Sequence, residues 1–157
     1  MRDLSTRVAC VVSFIAIASS SLPVQADSES PCRVVITSPR EQALVARRAE
    51  VRGIADIPAG AVLWVLAHRG DLTEHWWPQG AATVDGNGGW TVSTEFGRAR
   101  DTKHAFVVAA VPVNDDTHRG FLDWLANASK RDYPPVPFPR SVAGCAPVTI
   151  QVQKAAH

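Results

Sequence analysis

The chain has 157 residues and almost no charge imbalance: 16 lysines and arginines stand against 15 aspartates and glutamates, for a formal net charge of +1. Electrostatic binding of nucleic acid or of an anionic lipid surface needs a basic stripe, and a near-neutral surface argues against both. Arginine far outnumbers lysine, which we read as base composition of the source genome rather than function. No apolar run approaches the roughly 20 residues that cross a bilayer. Missing too are a Gly-x-Ser-x-Gly elbow, a phosphate-binding glycine loop and a His-Glu-x-x-His helix. No nucleophile–base pair can be named from spacing, so the reading is non-catalytic, with no cofactor and no metal.

Cysteine is also scarce, at 3 residues. Cys10 falls inside an N-terminal segment with the layout of a secretory signal. Arg2 and Arg7 precede the apolar run "VACVVSFIAIA", and "SSSLPVQA" ends in Val24-Gln25-Ala26, small at the positions a signal peptidase reads. Residues 1–26 are therefore expected to be cleaved, which leaves no stable membrane insertion and an exported domain of residues 27–157, periplasmic or secreted. The segment carries Arg2, Arg7 and Asp3, so its removal takes the net charge to about zero. Cys32 and Cys145 remain. An even pair in an exported protein reads as one disulfide, and the alternative, a structural zinc site, lacks clustered ligand spacing. Closing a loop of that size is worth about 4–5 kcal/mol on the chain-entropy model.

Within 27–157 the periodicity is mostly that of strands. "CRVVITSP" is a β-branched run stopped by Ser-Pro. "AEVRGIAD" alternates, with Ala49, Val51 and Gly53 on one face and Glu50 and Arg52 on the other. "AVLWVLAH" (61–68) and "HAFVVAAVPV" (104–113) are nearly continuous apolar runs, as strands buried on both faces would be. "HWW" and "AATVD" form a strand or strand pair interrupted by Pro78 and Gly80. Asp85-Gly86-Asn87-Gly88 reads as a plain hairpin turn before "GGWTVSTEFG", where Trp90, Val92 and Thr94 share a face. "APVTIQVQ" closes the series with Val148, Ile150 and Val152 inward.

One stretch differs. "NDDTHRGFLDWLANASKR" (114–131) begins with aspartates placed to cap a helix, and sets Phe121, Trp124, Leu125 and Ala128 at i, i+3, i+4 and i+7. Four prolines in "DYPPVPFPR" then exclude regular structure. The expected fold is all-β: an antiparallel two-sheet sandwich with one short helical and proline-rich insertion, 114–140, before the last strand.

The order of "ITSP", "VRG", "LWV", "WWPQG", "GGW", "FG" and "FVVAAV" resembles an immunoglobulin-like β-sandwich module of bacterial extracytoplasmic proteins. The match runs over most of 34–113 and the final "VTIQV". The helical insertion and the Cys32–Cys145 pair depart from a minimal module. The resemblance implies an adhesive, spacer or ligand-binding unit of the cell envelope or secretome rather than an enzyme; fold analogy alone is a weak guide to function.

Candidate binding residues follow from the aromatics. The candidate set is Trp76, Trp77, Gln79, Trp124, Tyr133 and Phe138, of which the five aromatics could form a flat apolar platform for a sugar ring or a partner's side chain. Successive strand side chains point to opposite faces, so Trp76 and Trp77 cannot share one core. The opposing account makes Trp64 and Trp90 core, buries one of Trp76 and Trp77, and has Trp124 pin the helix to a sheet. On that account the outward tryptophan is covered by the insertion, for which "YPPVPFP" is suited. His68 and His75 flank Arg69-Gly70-Asp71, and with Asp115 and Asp116 they supply the rival reading, a small metal-dependent hydrolase. Oxygen ligands at Asp85–Gly88 for calcium lack the rest of a known loop pattern. The expectation is a binding module that contacts a protein partner through the 70–80 and 114–140 loops. A carbohydrate-binding module is the alternative, and a purely structural spacer a third reading.

Overall fold

A computed structural model describes residues 32–156. The expected signal segment and its expected cleavage after Ala26 lie outside the described residues. Eight strands and one helix follow in order: β1 (Arg33–Ser38), β2 (Leu44–Val45), β3 (Arg48–Asp56), β4 (Val62–Arg69), β5 (Trp77–Ala82), β6 (Gly89–Glu95), β7 (Ala105–Val113), α1 (Asp115–Asn127) and β8 (Val148–Lys154). They form a three-stranded sheet, β1-β3-β6, and a five-stranded sheet, β2-β8-β7-β4-β5. Among the described residues no helix is long and apolar enough to cross a membrane.

Two apolar layers result. The first lies between the sheets. Val51, Ala55, Trp90 and Val92 come from one sheet and Leu63, Val65, Val108, Ala110 and Val152 from the other. The second lies on the outer face of the five-stranded sheet, where Trp64, Leu66, Ala109, Val111 and Val113 meet Phe121 of α1, Val136 of the proline-rich return, and Trp76. This second layer explains why β4 and β7 are apolar at nearly every position: both of their faces are dry. In β3 and β6 one face is wet, and alternation survives. Val51, Gly53 and Ala55 are buried while Glu50, Arg52 and Ile54 are exposed. Trp90, Val92 and Thr94 are buried while Thr91 and Ser93 are exposed.

Gly53 marks the tightest approach between these strands. A Cβ there would sit 1.9 Å from the Val35 carbonyl oxygen and 2.4 Å from Cζ2 of Trp90. Only a residue without a side chain admits the Trp90 ring over β3.

Four local expectations need correction. First, the strands are not uniformly antiparallel, because β2 pairs with β8 in parallel. Second, the Asp85–Gly88 turn is tight but makes no hairpin, since β5 and β6 belong to different sheets. The Asp85 carboxylate accepts from the Asn87 and Gly89 amides at 2.8 and 2.9 Å, and Gly88 at φ +81° turns the chain across the gap. Third, the helix cap is Asn114, whose side chain accepts from the Thr117 amide. Asp115 and Asp116 occupy the first turn instead, where their charge suits the helix dipole. Fourth, Leu125 is 42% exposed, whereas Phe121, Trp124 and Ala128 are buried as the helical spacing requires.

Cys32 and Cys145 form a disulfide with their Cα atoms 5.1 Å apart across a sequence separation of 113. It joins the start of β1 to the segment that enters β8.

Candidate functional site

The hairpin between β4 and β5 and the segment after β7 approach each other at one edge of the five-stranded sheet. β5 is the edge strand, and its Pro78 has no amide to donate, a residue sheets tolerate at an edge. The β4–β5 register slips at Gln79: Val65 faces Gly80 and Leu66 faces Pro78.

That bulge gives Gln79 its role. Its amide nitrogen donates to the Trp77 carbonyl at 3.0 Å, and its amide oxygen accepts from the Glu95 backbone N–H at 2.8 Å. Gln79 therefore bridges β5 and β6, edge strands of different sheets.

The paired tryptophans separate as the alternation of a strand requires. Trp76 is 7% exposed. His68 packs edge-on against it at 4.2 Å and Phe138 at 4.7 Å, while its backbone pairs with Val136 of the proline-rich return. The 114–140 segment covers this tryptophan. Trp77 is half-buried on the other side. Its indole N–H donates to the Tyr133 carbonyl at 2.8 Å, and the His75 ring stacks on it at 6.5 Å. Trp124 donates its indole N–H to the Pro134 carbonyl at 2.8 Å and lies 6.3 Å from the Tyr133 ring. Three indole donors are thus satisfied within the fold, the third being Trp64, which donates to Nδ1 of His118 at 3.0 Å. The buried indole N–H of Trp90, by contrast, has no partner.

Of the six candidate binding residues, Trp77, Gln79, Trp124 and Tyr133 line one cleft of about 810 Å³. Phe138 stands apart, packed on Trp76. The apolar side of the cleft is completed by Leu72, Pro78, Phe106 and Leu125. Its polar side is formed by Arg47, Arg48, Arg69, Arg98 and Arg100, with Glu95, Asp101 and Asp132. Single-sequence reasoning missed this arginine side altogether. The residues come from three separated segments with no motif joining them.

Several of these arginines are held in place. Arg69 reaches Asp71 at 2.6 Å and Asp101 at 2.9 Å. The Arg69-Gly70-Asp71 tripeptide therefore closes on itself rather than presenting both charges outward. The hydrogen bond from Arg69 holds the Asp71 carboxyl below its ordinary pKa. Burial acts to raise Asp101, but the Arg98 N–H, the Arg69 guanidinium and the charge of Lys154 outweigh it, so that group too is lowered. Arg47 binds Glu95 at 2.7 Å and Arg98 approaches Asp132 at 3.3 Å. Arg48 touches Glu95 only at 3.7 Å and its side chain is 74% exposed. Lys154, 1% exposed, donates to the carbonyl of Arg98, a residue of the cleft lining.

The rival metal arrangement is not assembled. His68 lines the cleft and holds the Arg69 carbonyl at 2.7 Å, whereas Asp115 and Asp116 pair with Arg119 on the helix. Among the described residues no group of three or more His, Cys, Asp or Glu is placed to hold a metal ion. No protein-family model matches the chain, and a search of curated proteins matched none.

Proposed function

We propose that this chain is an exported, non-catalytic binding module of immunoglobulin-like type, and that it presents the cleft between the 70–80 hairpin and the 114–140 insertion to a protein partner in the cell envelope or outside the cell. The cleft carries the reading: aromatic and aliphatic side chains and arginines line one concave site, mounted on loops of a two-sheet scaffold, where binding surfaces concentrate. Export is supported by the N-terminal sequence together with the disulfide. The immunoglobulin-like assignment is supported by the strand order, with β1-β3-β6 opposite β8-β7-β4-β5 and β2 crossing to the second sheet.

A protein is favoured over a glycan because sugar rings stack on open aromatic faces, and here few are offered. Trp76 is covered, and Trp77 has His75 on it. Tyr133 is the most exposed ring of the cleft, and Phe138, the other exposed aromatic, is packed on Trp76 outside it.

The test is a photo-crosslinking amino acid placed at Leu125, in the cleft, and separately at Leu44. Leu44 is exposed on β2, at the opposite edge of the same sheet. With the full chain expressed in its source cells, discrete protein adducts are expected at Leu125 and none at Leu44. Adducts at neither position, or equally at both, overturn the reading; retention on an oligosaccharide matrix without protein adducts moves it to the carbohydrate-binding alternative.

A further inference from the structure

We infer that the cleft takes an extended acidic peptide segment, with alternating carboxylate and apolar side chains, laid against the outer edge of β6 at Ser93. This rests on the binding-module reading and specifies the chemistry of its partner.

The strand edge is the first observation. β6 pairs with β3 on one side and ends its sheet on the other. The Phe96 amide bonds back toward the β3 side, to the Arg47 carbonyl at 2.7 Å, while the Glu95 amide points outward to Gln79 at 2.8 Å. Backbone groups alternate in direction along a strand, so the N–H and C=O of Ser93 share the outward edge with Glu95. Ser93 lines the cleft. The outward Glu95 amide is taken by Gln79, but the Ser93 groups are unpaired beside the groove, and that is where strand addition can begin, main-chain bonds giving affinity and alternate side chains specificity.

Charge is the second. Five arginines line the cleft against three carboxylates. Arg69 and Arg47 are held by close ion pairs, but Arg48 is mostly solvent-exposed with a long contact to Glu95. An incoming carboxylate meets a guanidinium surplus there, and a forked donor suits it. The third is the apolar part of the lining. Leu125, exposed at a helix position whose spacing should bury it, stands with Leu72 and Trp77 in the same cleft. The aliphatic side chains of Leu72 and Leu125 match apolar residues of a peptide, not the flat face of a sugar.

The probe is the blocked hexapeptide Ac-(Glu-Phe)3-NH2, titrated calorimetrically against the full chain beside its Gln-Phe and Lys-Phe counterparts and hexagalacturonate. The glutamate peptide should bind at least roughly tenfold more tightly than the glutamine one, and Arg48→Gln with Arg100→Gln should remove that preference while shifting the melting temperature little, since the long contact of exposed Arg48 to Glu95 is the one ion pair lost. Hydrogen exchange at the Ser93 amide should slow in the complex, which simple charge attraction would not produce. Equal binding of the lysine peptide, hexagalacturonate binding alone, or an unchanged Ser93 exchange rate overturns the inference. If the Leu125 crosslink traps a protein yet no acidic peptide binds, the ligand chemistry is wrong and the module reading stands; if neither occurs, both fall.

Discussion

At the scale of single residues, Gly53 and Asp101 hold more than their size suggests. An added methyl at Gly53 meets the Val35 carbonyl and the Trp90 ring well inside contact distance, and neither backbone nor a buried indole yields cheaply. Gly53→Ala should destabilise the domain by about 1–3 kcal/mol or more, read as a drop in the urea midpoint with an unchanged slope. Asp101 makes a different prediction. Its pKa is lowered in the fold, so its contribution is fully present above the unfolded value of about 3.9 and is lost as pH falls through the lower folded one. Asp71 acts in the same direction. Stability should be flat above about pH 5 and fall below about pH 4. Asp101→Asn should flatten that acid limb and cost about 1–2 kcal/mol at neutral pH, both checked by urea titration across pH.

Elements divide into those written in local sequence and those written in contacts. The continuous apolar runs of β4 and β7 announced strands dry on both faces, and the i, i+3, i+4 spacing announced α1, because one periodicity dominates each. What the runs did not announce was the agent of the second dry face, a helix and a proline-rich return more than 45 residues downstream of β4. The Asp85–Gly88 turn was legible as a turn but not as a passage between sheets. Turn chemistry fixes the local bend, whereas partner choice is fixed by long-range packing of Trp90 and Val92. Half of the candidate site was legible for the same reason. Tryptophans are conspicuous anywhere, but Gln79 turned out to be a brace between edges, and the arginines gather only after the chain has folded.

At the scale of the whole molecule, two thin sheets and a covering helix are closed by one covalent link. Removing it with Cys32→Ser and Cys145→Ser should cost about 2–5 kcal/mol, measured as the difference in unfolding free energy between the double variant and the oxidised chain. The intersheet apolar layer is expected to preserve the fold at room temperature, so the loss should appear as a lower melting temperature with native circular dichroism intact.

That link also decides how the protein carries tension. Cys32 stands at the entry to β1 and Cys145 just ahead of β8. A pull applied at residue 32 and at residue 154 passes through the sulfur bridge into the last strand, and the chain between the cysteines is out of the load path. Rupture of β8 then releases about 30 Å of chain, where an unbridged domain would pay out about 400 Å. Oxidised, the domain behaves as a short, stiff link in which the cleft-bearing loops stay unloaded while β8, separated from the cleft's edge strand by β7 and β4, is pulled. Reduced, the same tension runs through the cleft.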